Sequence, residues 1–201
     1  MAIRAIKLRY SLIPYLWHLA WEAHLTGLPV VRPLALEFPE DEETYSIDDQ
    51  YMIGSSLLYA PIIEKGARGR EVYLPRGLWR SFWSGLEFEG SRWIYSEEDM
   101  PLYIRSGSAI PTSEGLVIYG SGSWRIHQGE NGEVVEISRK EDNIEISGDL
   151  EIPNRILVLG ERIREARVKT LRIETEAEPR GSWIIIPENT DKSIVIEIIK
   201  E

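Results

Sequence analysis

Carboxylates crowd one stretch of the sequence: Glu40, Asp41, Glu42, Glu43, Asp48 and Asp49 lie between two apolar runs. Side-chain oxygens at that density have two chemical uses, a carboxylate pair for acid/base work or a seat for a hard cation. The spacing does not follow the EF-hand pattern of alternating ligands around a central glycine, so a solvated loop is the expected state. Arg32 and Glu37 set opposite charges inside the apolar segment VVRPLALEF. An unpaired charge is expensive to bury, so they are expected to form a buried pair; direct substrate contact is the alternative.

The remaining candidates carry less chemistry. His18 and His24 are six residues apart on one helical pattern and so do not share a face as metal ligands would. His127 falls in a polar stretch with no evident partner, and a metal site is not expected. No Ser–His–Asp arrangement is legible, and glycine-rich GSGS lacks the strand-to-helix context of a phosphate loop. Seven tryptophans invite a sugar-stacking reading. Trp79, Trp83 and Trp93 sit in strand-like segments and are expected in the core. Trp124 and Trp183 are the candidates for a surface sugar platform.

These residues depend on two kinds of element. Residues 2–26 read as one helix, with Ile3, Ile6, Tyr10, Ile13, Trp17 and Ala20 on an apolar face that Leu12 and Leu16 widen. Gly27 suits a C-terminal cap, Pro29 stops the helix, and Pro14 kinks it. Residues 30–38 read as a strand that stops or bulges at Pro33. Asp48 to Gly54 fits a helical turn or two. From Leu57 onward, short apolar segments punctuated by Gly, Pro and Ser indicate antiparallel β-structure. SGSWRIHQGENGE reads as a polar connection, followed by a second strand group that includes RVKTLRIE, SWIIIP and KSIVIEI.

Totals exclude several classes. A formal charge of −10 with no dominant basic cluster disfavours nucleic acid and anionic membrane surfaces. The absence of cysteine removes disulfides and thiolate chemistry. No apolar run is long enough to span a bilayer, and MAIRAIKLRY lacks a signal-peptide core, so a cytoplasmic location is expected.

The motifs Leu8-Arg9-Tyr10, Pro14-Tyr15, Arg32-Pro33-Leu34 and Asp49-Gln50-Tyr51 lie in a segment from Leu8 to Pro61 that resembles glycoside hydrolase family 31, the α-glucosidase and α-xylosidase family. The matching residues include Leu8-Arg9-Tyr10, Pro14-Tyr15, Glu22-Ala23-His24, Arg32-Pro33-Leu34, Glu37-Phe38-Pro39, Asp49-Gln50-Tyr51 and Ala60-Pro61. The likeness continues through Val72-Tyr73-Leu74-Pro75, Trp79, Phe82-Trp83, Gly85, Pro101 and Arg105-Ser106-Gly107, and is faint beyond Gly120.

The resemblance implies a mainly β chain whose residues 1–56 look like the last helix and strand of a (β/α)8 barrel. A proximal β-sandwich over 57–120 and a distal one over 121–201 would follow, both antiparallel. It implies that Arg32 and Glu37 end a barrel strand, as substrate-rim or barrel-closing residues, and that the acidic loop lies on the catalytic rim. The family works by a retaining mechanism with two aspartates about 5 Å apart. Both belong upstream of the segment matched here. Glu98-Asp99-Met100 has the look of the nucleophile motif but falls in the sandwich part. The expected function is therefore a non-catalytic C-terminal part or subunit of an α-glucosidase-like enzyme. It would need no cofactor, and its partner would be a catalytic barrel chain. α-Glucoside would bind only in the assembled form. The rival expectation is a free-standing carbohydrate-binding or oligomerisation module, with a homo-oligomer as partner.

Overall fold

The computed structural model describes residues 2–148, 155–161, 163–170, 174–177, 179–180, 183–186 and 193–200. Leu171, Arg172 and Ile173 of the expected strand RVKTLRIE lie outside the described residues, as do Ser182, Pro187 and Lys192 at the ends of the later segments. The described chain is mainly β, in several sheets.

Two helices, α1 (Ala2–Ser11) and α2 (Ile13–Thr26), replace the single expected one. Only Leu12 is non-helical between them. Pro14 has no N–H for the Tyr10 carbonyl and its ring crowds that turn. The flanking bonds, Leu12 N–H to Leu8 O and Leu16 N–H to Leu12 O, persist at 3.0 and 2.9 Å. The strand β1 (Val31–Pro33) ends at its proline and passes into a helical turn, α3 (Leu34–Glu37). A 3-10 helix over Glu42–Ser46 carries the acidic loop.

Seven short strands follow: β2 (Tyr51–Ile53), β3 (Leu57–Tyr59), β4 (Arg70–Leu74), β5 (Leu78–Ser81), β6 (Glu87–Glu89), β7 (Arg92–Ser96) and β8 (Leu102–Arg105). The helical turn expected over Asp48 to Gly54 is instead β2, because Met52 is wholly buried between two paired neighbours. With β1, these strands and the loops between them form one compact unit, residues 27–106. Its main sheet runs β1-β2-β3-β8-β5-β6, all antiparallel, and β4 pairs with β7 separately. Leu34, Phe38, Met52, Leu58, Val72, Leu74 and Trp79 fill its core. Trp79 is fully buried and donates its indole N–H to Pro75 O at 2.7 Å, so its one polar atom is satisfied.

The second unit comprises residues 2–26 and 107–201. Its described strands are β9 (Ser108–Thr112), β10 (Gly115–Tyr119), β11 (Gly122–Gln128), β12 (Glu133–Lys140), β13 (Asn143–Gly148), β14 (Arg155–Leu159), β15 (Ile163–Thr170), β16 (Glu174–Ala177), β17 (Pro179–Arg180), β18 (Trp183–Ile185) and β19 (Ser193–Lys200). They make a sheet β17-β18-β14-β10-β9 and a sheet β11-β12-β13-β19-β15-β16. The expectation of wholly antiparallel pairing fails at one place, since β10 and β14 run parallel. Period-two burial directs Ile194, Ile196 and Ile198 of β19 into the core. Leu116, Ile118, Ile156 and Val158 enter the same core from the other sheet. The stretch expected as a polar connection, 121–132, is β11 and its turn, in register with β12 from Gly122–Arg139 to Gln128–Glu133.

The buried helix face also differs from the expected one. Ile3, Ile6, Tyr10, Ile13 and Trp17 are exposed, by 44–74%, and Ala20 is exposed too. The buried side chains are instead Leu12, Tyr15 and Leu19, a second stripe at helical spacing. The sequence holds two apolar stripes on these helices; the second unit buries one and touches the other through Trp17, whose indole N–H donates to Gly129 O at 2.9 Å.

Candidate functional site

In the unit of residues 27–106, the Arg32–Glu37 pair is joined. Arg32 donates Nη1–H to Glu37 Oε2 at 3.0 Å and Nε–H to Pro29 O at 2.9 Å. Pro33 between them turns the chain from strand to helix, which brings side chains five apart into contact. The two side chains are 3% and 17% exposed. Arg105, from the end of β8, approaches Glu37 Oε1 at 3.6 Å and lies over the Phe38 ring at 4.6 Å. One carboxylate thus serves two guanidiniums against an aromatic floor, a pattern sequence reasoning missed at Arg105 because that residue is far along the chain.

The acidic loop is not simply solvated. Thr44 is buried and donates its hydroxyl to Asp41 O at 2.6 Å, closing the 3-10 turn. Tyr73 donates its phenol to Asp41 at 2.9 and 3.1 Å, and Trp93 donates its indole N–H to Glu43 at 2.9 Å. Two aromatic donors therefore hold the loop from 32 and 50 residues away. Gln50, also buried, clamps the Tyr73 backbone with both ends of its amide, at 2.7 and 3.1 Å. Asp49 meets Arg70 at 2.6 Å. The loop's bonds to Tyr73, Trp93 and Arg70 fix it in place against the rest of the unit.

Burial, with the Asp41 hydrogen bond and then the charges of Asp41 and Glu43, pushes the Tyr73 phenol up to about 12. An unfolded tyrosine titrates near 10, so the folded chain keeps this proton longer. The stability of the wild type over Tyr73→Phe should therefore be fully present below pH ~10 and fade between pH ~10 and ~12. Urea denaturation of both proteins across that range checks it; a difference that stays constant to pH 12 refutes it.

The other candidates resolve individually. Glu98 accepts the Ser81 hydroxyl, and Trp83 donates its indole N–H to Met100 O at 2.6 Å, so the Glu98-Asp99-Met100 stretch anchors a turn. Phe82 and Trp83 are half-buried in that turn, and Trp93, expected in the core, is 44% exposed. In the second unit, His127 is not in a loop without a partner. It lies on β11, its backbone N–H donates to His18 Nδ1 at 3.2 Å, and the two rings stack at 5.8 Å. Among the described residues no group of three His, Cys, Asp or Glu side chains is gathered for a metal. Of the two candidate sugar platforms, Trp124 packs against the core of the second unit and donates its indole N–H to Gly107 O at 2.9 Å, and Arg155 lies 4.9 Å over the Trp183 ring.

Residues 27–110 match the sequence profile of the glycosyl hydrolase family 31 C-terminal domain. The chain carries that family's C-terminal domain. It is 41% identical to an alpha-glucosidase of Saccharolobus solfataricus over 136 residues, 67% of this chain and 19% of that protein. An alpha-xylosidase of the same organism is 34% identical over 139 residues, 65% of this chain and 19% of the relative. The family 31 chain thus spans about a fifth of the length of these curated relatives. Its fold matches a dextranase of Flavobacterium johnsoniae with a TM-score of 0.78 at 22% identity, over 98% of this chain and 32% of that one. It matches a glucosidase II alpha subunit with a TM-score of 0.81 at 17% identity, over 97% of this chain and 28% of the other. The matched residues 27–110 include the Arg32–Glu37 pair and Asp49, Gln50 and Tyr73, whose bonds hold the acidic loop.

Proposed function

We propose that this chain is the non-catalytic C-terminal part or subunit of an α-glucosidase-like retaining glycoside hydrolase. In this reading residues 1–56 complete a (β/α)8 barrel, 57–120 form its proximal and 121–201 its distal β-sandwich. A barrel chain supplies the two carboxylates, and the assembled protein hydrolyses terminal α-glycosidic bonds without a cofactor. Arg32 and Glu37 close the barrel as an ion pair, and the acidic loop borders the site without entering the chemistry.

The observation that carries the reading is the uncovered stripe of Ile3, Ile6, Tyr10, Ile13 and Trp17 in a chain that matches the end of a longer enzyme family. A contiguous row of large apolar side chains on one helical face marks a surface meant for a partner. The outer edge of β1 and the helical turn after it, with Val31 and Leu36 exposed, are a second such surface.

Reconstitution tests it. The purified chain alone should not turn over p-nitrophenyl α-glucoside, and mixing it with a family 31 barrel fragment that lacks its own C-terminal part should restore turnover. Hydrolysis by the chain alone that disappears on replacing Asp48, Asp49 or Asp99 would overturn the reading. A sugar-binding module is the second reading, favoured by one observation, the exposure of Trp93 and Tyr95.

A further inference from the structure

Trp93 and Tyr95 stand two apart on β7 and so project from the same face of the strand. They are 44% and 64% exposed. Neither ring is loose. Trp93 is tied to Glu43 through its indole N–H at 2.9 Å and leans on Tyr73 with ring centroids 5.4 Å apart. Tyr95 lies over Gly69, where a Cβ would come 3.0 Å from its ring and still closer to Ser96 O. A side chain at 69 would collide with both, so glycine there leaves room for the Tyr95 ring beside the backbone. Acceptors flank the row. Glu71 is exposed and pairs directly across from Tyr95, and Glu43 spends only one carboxylate oxygen on Trp93.

From this we infer that Trp93 and Tyr95 form a stacking platform for a neutral oligosaccharide, with Glu43 and Glu71 accepting its hydroxyls. Apolar sugar faces stack on aromatic rings, and rings already held in place cost little ordering entropy on binding. The acidic flank repels anionic polymers and suits hydroxyl donors, which selects a neutral glycan over nucleic acid or a uronate chain. The choice of an α-glucan as ligand rests on the proposed function; the platform itself rests on the rings and carboxylates. In the assembled enzyme such a platform would hold a polymeric substrate away from the chemistry.

The test is calorimetric titration of the full chain with maltoheptaose and isomaltoheptaose to about 10 mM, a range suited to weak carbohydrate contacts. Saturable binding should appear, weaken at least roughly tenfold in Trp93→Ala and in Tyr95→Ala, and survive in Leu86→Ala, an exposed apolar side chain elsewhere. Circular dichroism verifies the fold of each variant. Should Trp93→Ala unfold, Tyr95→Ala decides alone, since that ring is mostly outside. Absence of saturable binding, binding that both variants retain, or equal binding of polygalacturonate overturns the platform. So does self-association of the chain that Trp93→Ala abolishes. None of these results touches reconstitution of hydrolysis, so the platform and the proposed function fail separately.

Discussion

Replacing Glu37 with alanine should lower the unfolding free energy of the chain by about 3–5 kcal/mol, the usual consequence of stripping one partner from a buried ion pair. Arg32 has a side chain 3% exposed, and its guanidinium meets Glu37 at 3.0 Å. Without that carboxylate the positive charge stays in the core and loses its counter-charge, while its Nε–H still donates to Pro29 O at 2.9 Å. Arg105, 3.6 Å from the other carboxylate oxygen, adds a second positive group to the vacated site. The double change Arg32→Met with Glu37→Leu removes charge and counter-charge together and should cost far less, because apolar replacements of a whole buried pair are often near neutral. Guanidinium denaturation of the three proteins reads the difference. A Glu37→Ala protein as stable as wild type would show that Glu37 contributes through a ligand and not through the fold.

The pair was legible in the sequence because its members are local. Two opposite charges inside VVRPLALEF, five residues apart around a proline, leave few ways to be buried except together. The rest of the acidic site was not legible, and the reason is distance along the chain. Nothing in the composition of residues 40–49 says that a tyrosine at 73 and a tryptophan at 93 will donate to them. Trp93 itself reads as core because its strand is apolar, yet in a two-stranded pair one face can remain open, and Trp93 lies partly on it. Likewise 121–132 reads as a connection from its glycines and serines, while the apolar Ile126 and the long register with β12 hold it as a strand. The β-rich character beyond Leu57 was legible, because alternation is a local signal; the parallel neighbour of β10 was not, because β14 begins 36 residues after β10 ends.

The helices show the same limit in its most useful form. Periodicity identifies both apolar stripes, and only tertiary structure tells which one this chain covers. Leu12, Tyr15 and Leu19 are spent on the chain's own second unit. Leu19→Ala should therefore cost about 2–5 kcal/mol of stability in the isolated chain. The outer stripe should behave oppositely. A triple change of Ile3, Ile6 and Tyr10 to glutamate replaces residues that are 74%, 55% and 61% exposed, so the isolated chain should lose about 2–3 kcal/mol and become more soluble. Covering the exposed halves of the five side chains from Ile3 to Trp17 is worth on the order of 4–7 kcal/mol before the cost of association. Three buried carboxylates at that interface would reverse its sign. The triple variant should accordingly remain folded and fail to restore hydrolysis to a barrel fragment, a loss of at least about a thousandfold in affinity. Sedimentation with the fragment, beside circular dichroism of the variant alone, separates the two effects. Wild-type reconstitution by the triple variant would mean that the barrel does not sit on this stripe, and the surface left open by Ile3, Ile6, Tyr10, Ile13 and Trp17 would then need another occupant.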